Sequence, residues 1–199
     1  QCSLVDENDE QTDAVYSIIT LRSTDEYLIK IFFDVFIMML MTLKNIPTDI
    51  ELATVIEGLL SIFAALKRKP IHKIQGLWAE LLVIERSKNP LIVANAWHNS
   101  PGSKYDFTMG SDKVEVKSTS SEERVHKFSL DQLNPTISSK LLIASTIVRE
   151  SAKDENGLSV DDMYKRICNR VKDIEARMHI YSVITNTLGD EYEKANTVY

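Results

Sequence analysis

The sequence predicts an α/β protein in which a mixed central sheet is flanked by helices and preceded by a helical segment. Three observations predict it. Residues 105–117 (Tyr-Asp-Phe-Thr-Met-Gly-Ser-Asp-Lys-Val-Glu-Val-Lys) alternate apolar and polar side chains on both sides of Gly110-Ser111, which is the pattern of a β-hairpin with one apolar face. Leu141 to Val148 is an apolar, β-branched run of strand type, expected to be buried. Stretches with apolar residues three and four apart lie before and after these strands, and strands interleaved with helices build α/β layers.

In chain order, residues 1 to about 12 are acidic and poor in large apolar groups, and are expected to be disordered or peripheral. Ala14 to Leu21 is a short apolar run compatible with strand or helix. Ser23-Thr-Asp-Glu26 reads as a capping box with Ser23 as the cap, starting a very apolar helix that reaches about Lys44. Lys30, Asp34 and Lys44 interrupt this helix, and a membrane span needs about 20 apolar residues. A helix buried on most sides is expected instead. Thr48 and Glu51 form a second capping box, for a helix with Leu52, Ile56, Leu59, Leu60 and Phe63 inward. It ends at the basic cluster Lys67-Arg68-Lys69.

Ile71 to Ser87 is a third helix, with Ile74, Leu77, Leu81 and Ile84 on its apolar face. Glu80 flanks that face, either as a residue at its border or pointing into a site between helix and sheet. Leu91 to Trp97 reads as a strand and His98 to Ser103 as a turn. After the hairpin comes a polar loop, followed by positive charge from Arg124, His126 and Lys127. Ser129 and Gln132 form a third capping box. Ser159 caps a helix running to about Met178, with Val160, Met163, Tyr164, Ile167 and Val171 inward, and another short helix ends near Gly189. Residues 1–70 are read as an N-terminal helical segment, the remnant or linker of a larger region, and residues 71–199 as the α/β domain.

Composition sets bounds. A chain of 199 residues, 44% hydrophobic and 26% charged, is of ordinary globular type and long enough for a sizeable core. A net charge of −6 does not advertise nucleic-acid binding, although a locally basic groove suffices for it. Cys2 and Cys168 lie too far apart to suggest a disulfide framework or zinc site, and fit a reducing cytoplasm. No signal peptide is recognised, and the first residue, Gln, is read as the start of a fragment or trimmed chain. A phosphate-binding glycine loop, a Gly-x-Ser-x-Gly elbow and internal repeats are all absent, which argues against P-loop, serine-hydrolase and solenoid classes.

The two-residue loop fixes a hairpin register. Met109 should face Asp112, Phe107 should face Val114 and Tyr105 should face Val116, which sets Asp106 opposite Glu115. Directly opposed like charges destabilise a strand pair. A bound cation would turn that cost into a site. With Lys117 on the same face, the inventory is that of a metal-dependent phosphodiesterase. The competing reading is a solvated polar face, with Lys117 in a weak salt bridge to Asp106.

A helix carrying Glu, then Asp, then Glu-x-Lys on a hairpin, then helix and strand, resembles the PD-(D/E)XK nuclease superfamily. More narrowly, the chain is similar to a bacterial family of PD-(D/E)XK-motif proteins encoded in phage-defence or restriction gene clusters. The similar segments are Gly76-Leu-Trp-Ala-Glu-Leu-Leu82, Ala96-Trp-His98, Tyr105-Asp-Phe107, Val114-Glu-Val-Lys-Ser118 and Val125-His-Lys-Phe-Ser-Leu-Asp-Gln-Leu133, within residues 50–199. Tyr105 stands where the namesake motif has Pro, a residue without chemistry of its own.

The resemblance implies a restriction-endonuclease-like core and a cytoplasmic Mg2+-dependent DNA endonuclease, with Mn2+ as a substitute metal. Asp106 and Glu115 would be metal ligands and Glu80 a further, water-mediated one. Lys117 would be the catalytic lysine, and Gln132, Arg124, Lys127 and Ser118 would be DNA contacts. It further implies DNA as partner, a homodimer for double-strand cleavage, an ATPase or helicase partner in a defence complex, and no membrane. The alternative is a catalytically weak nuclease-fold subunit that binds DNA or scaffolds such a complex.

Overall fold

The computed structural model describes residues 2–5, 11–14, 18–70, 73–98, 103–151 and 157–199. By contacts the chain forms two compact units, residues 1–34 and 35–199. In the first, β1 (Cys2–Val5) and β2 (Gln11–Ala14) pair antiparallel, so strands lie where disorder was expected. Helix α1 (Glu26–Leu40) begins there. Its cap is Asp25, not Ser23: Asp25 Oδ1 accepts the Tyr27 N–H at 2.9 Å, and Ser23 Oγ accepts the N–H of Asp25. Either residue has the chemistry of a cap, and the Asp25 carboxylate takes the free amides of the second and third helical residues, Tyr27 and Leu28.

The larger unit is organised on a three-stranded mixed sheet of order β3–β4–β5, comprising β3 (Phe107–Met109), β4 (Asp112–Thr119) and β5 (Lys140–Ile147). β3 and β4 are antiparallel, and β4 and β5 parallel. The expected pairs Phe107–Val114 and Met109–Asp112 are present. Gly110 takes φ +61° while Ser111 does not take positive φ, which is the requirement of a II′ rather than a I′ turn. The Tyr105–Val116 pair does not form, because β3 begins only at Phe107.

Around the sheet lie α2 (Asp49–Ala65), α3 (Ile74–Arg86), α4 (Pro90–Asn95), α5 (Leu130–Leu133), α6 (Val160–Arg170), α7 (Ile174–Leu188) and a 3₁₀ helix (Gly189–Asn196). The capping boxes of Thr48/Glu51 and Ser129/Gln132 form as expected. α3 packs on β4 and α6, and α7 packs on α2 and α4. Leu77, Leu81, Ile84, Met163, Ile167, Ile180, Ile184 and Leu188 are fully buried between them. Helix α2 belongs to this unit, although the sequence reading grouped it with the N-terminal segment.

Three elements differ from expectation for physical reasons. Residues 90–95 are helix α4, not a strand. A short apolar run is ambiguous by periodicity, and Pro90 in the first turn is preset for a helix. The end of the run reaches the sheet, Trp97 as an isolated antiparallel bridge to Phe107 and Ala96 through its carbonyl on the Thr108 N–H. The helix expected from Ser159 to Met178 is broken at Val171, which is extended (φ −96°, ψ 110°). Asp173 then caps α7 through the Ala176 N–H, and the Arg177 guanidinium donates to the carbonyls of Val171 and Cys168 at the end of α6. Finally, β5 is apolar but not buried: Leu142 and Ile143, on opposite faces, are exposed, because among the described residues β5 packs against β4 and no helix covers it.

Gly189 closes α7 at φ +53°, where an added Cβ would stand 2.1 Å from the Arg68 carbonyl oxygen. The adjacent Asp190 N–H donates to that oxygen, tying α7 to the end of α2. Residues 71–72 of the expected third helix, residues 99–102 of the expected turn and residues 15–17 of the first apolar run lie outside the described residues. Among the described residues no helix is long and apolar enough to cross a membrane.

Candidate active site at the hairpin

The site is assembled where β3 stops pairing. In an antiparallel ladder, hydrogen-bonded pairs alternate, so the Val116 N–H would next bond to Tyr105. Asp106 takes its place: its Oδ2 accepts the Val116 N–H at 2.6 Å. Its backbone faces the other way, with Asp106 O accepting the His98 N–H and Ala96 O accepting the Thr108 N–H. Asp106 is thus fixed by β4 on one side and by residues 96–98 on the other.

Glu115 lies on β4 and is only 4% exposed. Its Oε1 accepts from Lys117 Nζ at 2.6 Å and from Gln132 Nε2 at 2.7 Å. The Gln132 amide has two tasks, since its Oε1 also accepts the Ser129 N–H and completes the cap of α5. The Tyr105 hydroxyl donates to Gln132 O, joining α5 to the hairpin a second time. Lys117 Nζ lies 5.4 Å from the centre of the Phe128 ring, a cation–π placement.

Glu80 enters from α3. Its Oε2 accepts the indole N–H of Trp97 at 2.7 Å. Burial pushes its pKa up to about 8, with the Asp106 and Glu115 charges pushing the same way and the Trp97 hydrogen bond opposing. Burial and the Glu115 charge likewise push Asp106 up to about 6, against the Val116 N–H and Lys117. The three carboxyl groups therefore sense one another, as the sequence anticipated for Asp106 and Glu115. Every buried side-chain nitrogen and oxygen among the described residues has a hydrogen-bond partner. The unrelieved term is charge, not hydrogen bonding.

The remaining expected residues divide. Gln132 is turned onto Glu115 and away from solvent-side contacts. Arg124 is exposed, with its guanidinium 3.4 Å from Ser145 O, and Lys127 is exposed. Ser118 alternates onto the face of Val114 and Val116, not that of Glu115 and Lys117. His126 Nε2 lies 2.8 Å from Ser145 Oγ, and Ser145 is the register partner of Lys117. Trp97 and Phe128 were given no role in the sequence reading. Both were visible only as aromatic residues beside the motif segments, because their partners are 17 and 11 residues away.

Among the described residues no three His, Cys, Asp or Glu side chains stand together as a ready ion cage. The donors at hand are nevertheless all carboxylate oxygens. Such a set suits a hard cation like Mg2+, which is often held by one or two carboxylates with waters and substrate phosphates. Asp106 and Glu115 are close enough for the Glu115 charge to raise Asp106, and negative charge in a buried place favours a cation there.

The mixed sheet between helices, with Asp ahead of the hairpin, Glu-x-Lys on its second strand and Glu on the preceding helix, defines a PD-(D/E)XK nuclease-like fold. Residues 2–196 match the model of the family described as “Putative PD-(D/E)XK family member (DUF4420)”, and the chain belongs to that family. The match begins well before residue 50, where the resemblance read from the motifs began. Comparison with curated proteins gave no match, and comparison with solved structures gave none.

Proposed function

We infer that this protein is a Mg2+-dependent endonuclease that hydrolyses DNA phosphodiester bonds, in restriction or phage defence. The observation that carries the reading is the pairing of Lys117 with buried Glu115 within electrostatic reach of Glu80 and Asp106, whose carboxyl groups are pushed above their ordinary range by burial and by neighbouring negative charge. Active sites are where such shifts cluster.

Asp106 and Glu115 would hold the cation, and Glu80 would contact it through water. Bound there, Mg2+ supplies Lewis-acid polarisation of the phosphate and a water of lowered pKa. The chain's own groups do the rest. Lys117 places its ammonium where negative charge builds on the phosphate oxygens as water attacks phosphorus and the P–O bond breaks. Gln132 keeps Glu115 from rotating out of place, and Phe128 limits the swing of Lys117. Exposed Arg124 and Lys127 are available to DNA phosphates beside the site.

One observation favours the second reading, a nuclease-fold subunit with little activity: Lys117 closes directly onto Glu115, occupying an oxygen that a cation would use. The test is cleavage of supercoiled plasmid with Mg2+ or Mn2+ and with EDTA. Asp106→Ala and Lys117→Ala should each lower the rate by about 100-fold or more while the protein stays folded. Equal cleavage by wild type and Asp106→Ala would contradict the nuclease reading.

A further inference from the structure

Glu80 reaches the site from a different element than its partners. Asp106, Glu115 and Lys117 all belong to the hairpin region, whereas Glu80 comes from α3. Asp106 and Glu115 repel it, and a flexible glutamate side chain answers repulsion by turning away. Something must hold it. Among the described residues its side-chain hydrogen bond is the one from Trp97 Nε1, at 2.7 Å.

Trp97 is itself fixed from several directions. It is 3% exposed and its ring stacks on Phe107, with centroids 6.2 Å apart and planes at 17°. Its backbone bridges to Phe107, between the hydrogen bonds His98 N–H to Asp106 O and Thr108 N–H to Ala96 O. Its carbonyl accepts from His179 Nε2 on α7 at 2.9 Å. The indole N–H is the ring's single polar group, so this rigid framework presents one donor, and it meets Glu80. Residues 96–98, which hold the Asp106 backbone, therefore also place the donor for Glu80.

We propose that Trp97 is a positioning residue of the site: its indole N–H holds the Glu80 carboxylate toward Asp106 and Glu115, so that α3 and the hairpin present one cation site. It rests on the Mg2+-dependent reading above for its effect on chemistry, while the Trp97–Glu80 link can be read without metal or DNA. Partners that orient metal-binding side chains commonly affect metal affinity by 10–100-fold.

The full chain labelled with 15N-tryptophan has two indole N–H signals, because it has two tryptophans. Trp78 donates to Leu158 O at 2.7 Å and serves as the internal reference. Glu80→Ala should move the Trp97 indole signal upfield and leave that of Trp78 in place. Trp97→Phe, which keeps an aromatic ring on Phe107 but removes the donor, should raise the Mg2+ concentration needed for half-saturation by about tenfold. In a Glu80→Ala background the same substitution should have no further effect, a result that a general loss of structure would not give.

A Trp97 signal unmoved by Glu80→Ala overturns the proposal, and this arm survives even if Trp97→Phe folds poorly. Equal Mg2+ requirements in wild type and Trp97→Phe also overturn it. Wild type that binds no Mg2+, with the indole shift present, removes the metal-dependent reading and the positioning role with it, leaving a structural contact.

Discussion

Val114 and Glu115 are successive residues of β4, 6% and 4% exposed, and burial does opposite things to them. Val114 faces Phe107 across the hairpin and gains by leaving water, at roughly 25 cal/mol per Å2 of apolar surface. Glu115 needs Lys117 and Gln132 on one of its oxygens, and it still repels Asp106 and Glu80. One strand thus carries a face that stabilises the fold and a face that opposes it. A buried face that opposes folding points to a task, and under the function proposed above that task is the binding of a cation and an anionic substrate.

That contrast can be broken from its apolar side first. Phe107 is fully buried and stacked on Trp97, so Phe107→Ala should destabilise the protein by about 3–5 kcal/mol in denaturant unfolding. A loss below about 1 kcal/mol would mean that the hairpin is not anchored as described.

From the polar side the sign reverses. The folded protein raises Glu80 from 4.5 to about 8 and Asp106 from 3.8 to about 6, so it binds these protons more tightly than the unfolded chain. Their contribution to stability is complete below the unfolded values and is lost as pH rises through the folded ones. In EDTA, the melting temperature should therefore fall between about pH 4 and pH 8 by the Glu80 and Asp106 contributions. Glu80→Gln should remove part of that slope and raise the melting temperature at pH 8, by about 2–4 °C for each kcal/mol of repulsion relieved. A steeper slope in Glu80→Gln would contradict the assignment.

Gln132→Ala sharpens the comparison further. It deletes a hydrogen bond to a buried charged group, for which a stability loss of about 1.5–3 kcal/mol is expected, with weakened plasmid cleavage. At the small end, Leu142→Lys on the edge strand should change stability by no more than about 0.5 kcal/mol, since Leu142 is exposed. A large effect there would show that β5 has a partner in solution.

How far the sequence showed this depends on the range of the forces involved. The pairs Phe107–Val114 and Met109–Asp112, the Gly110 turn and two capping boxes are set within a few residues of one another, and the sequence predicts them correctly, whereas the Tyr105–Val116 pair, farther from the turn, does not form. Gly189 as a helix stop was equally local. Val114, Glu115 and Lys117 followed from strand alternation alone. What was missed is set at longer range. Nothing within Leu91–Trp97 says that the run coils into α4, with Ala96 and Trp97 alone of its residues bonded to β3 among the described residues, and nothing local separates an exposed strand from a buried one in residues 141–148. Gln132 was legible as a cap, but its second bond, to Glu115, needs the fold. Trp97 on Glu80 joins residues of two elements, and no local pattern announces it.

The central claim is that the polar face of the hairpin is a cation site. Mg2+ titration by calorimetry, on wild type and on the folded Asp106→Ala/Glu115→Ala double variant, tests it most directly. Saturable binding in wild type and none in the double variant is the predicted result. No binding in wild type, or equal binding in both, would contradict it.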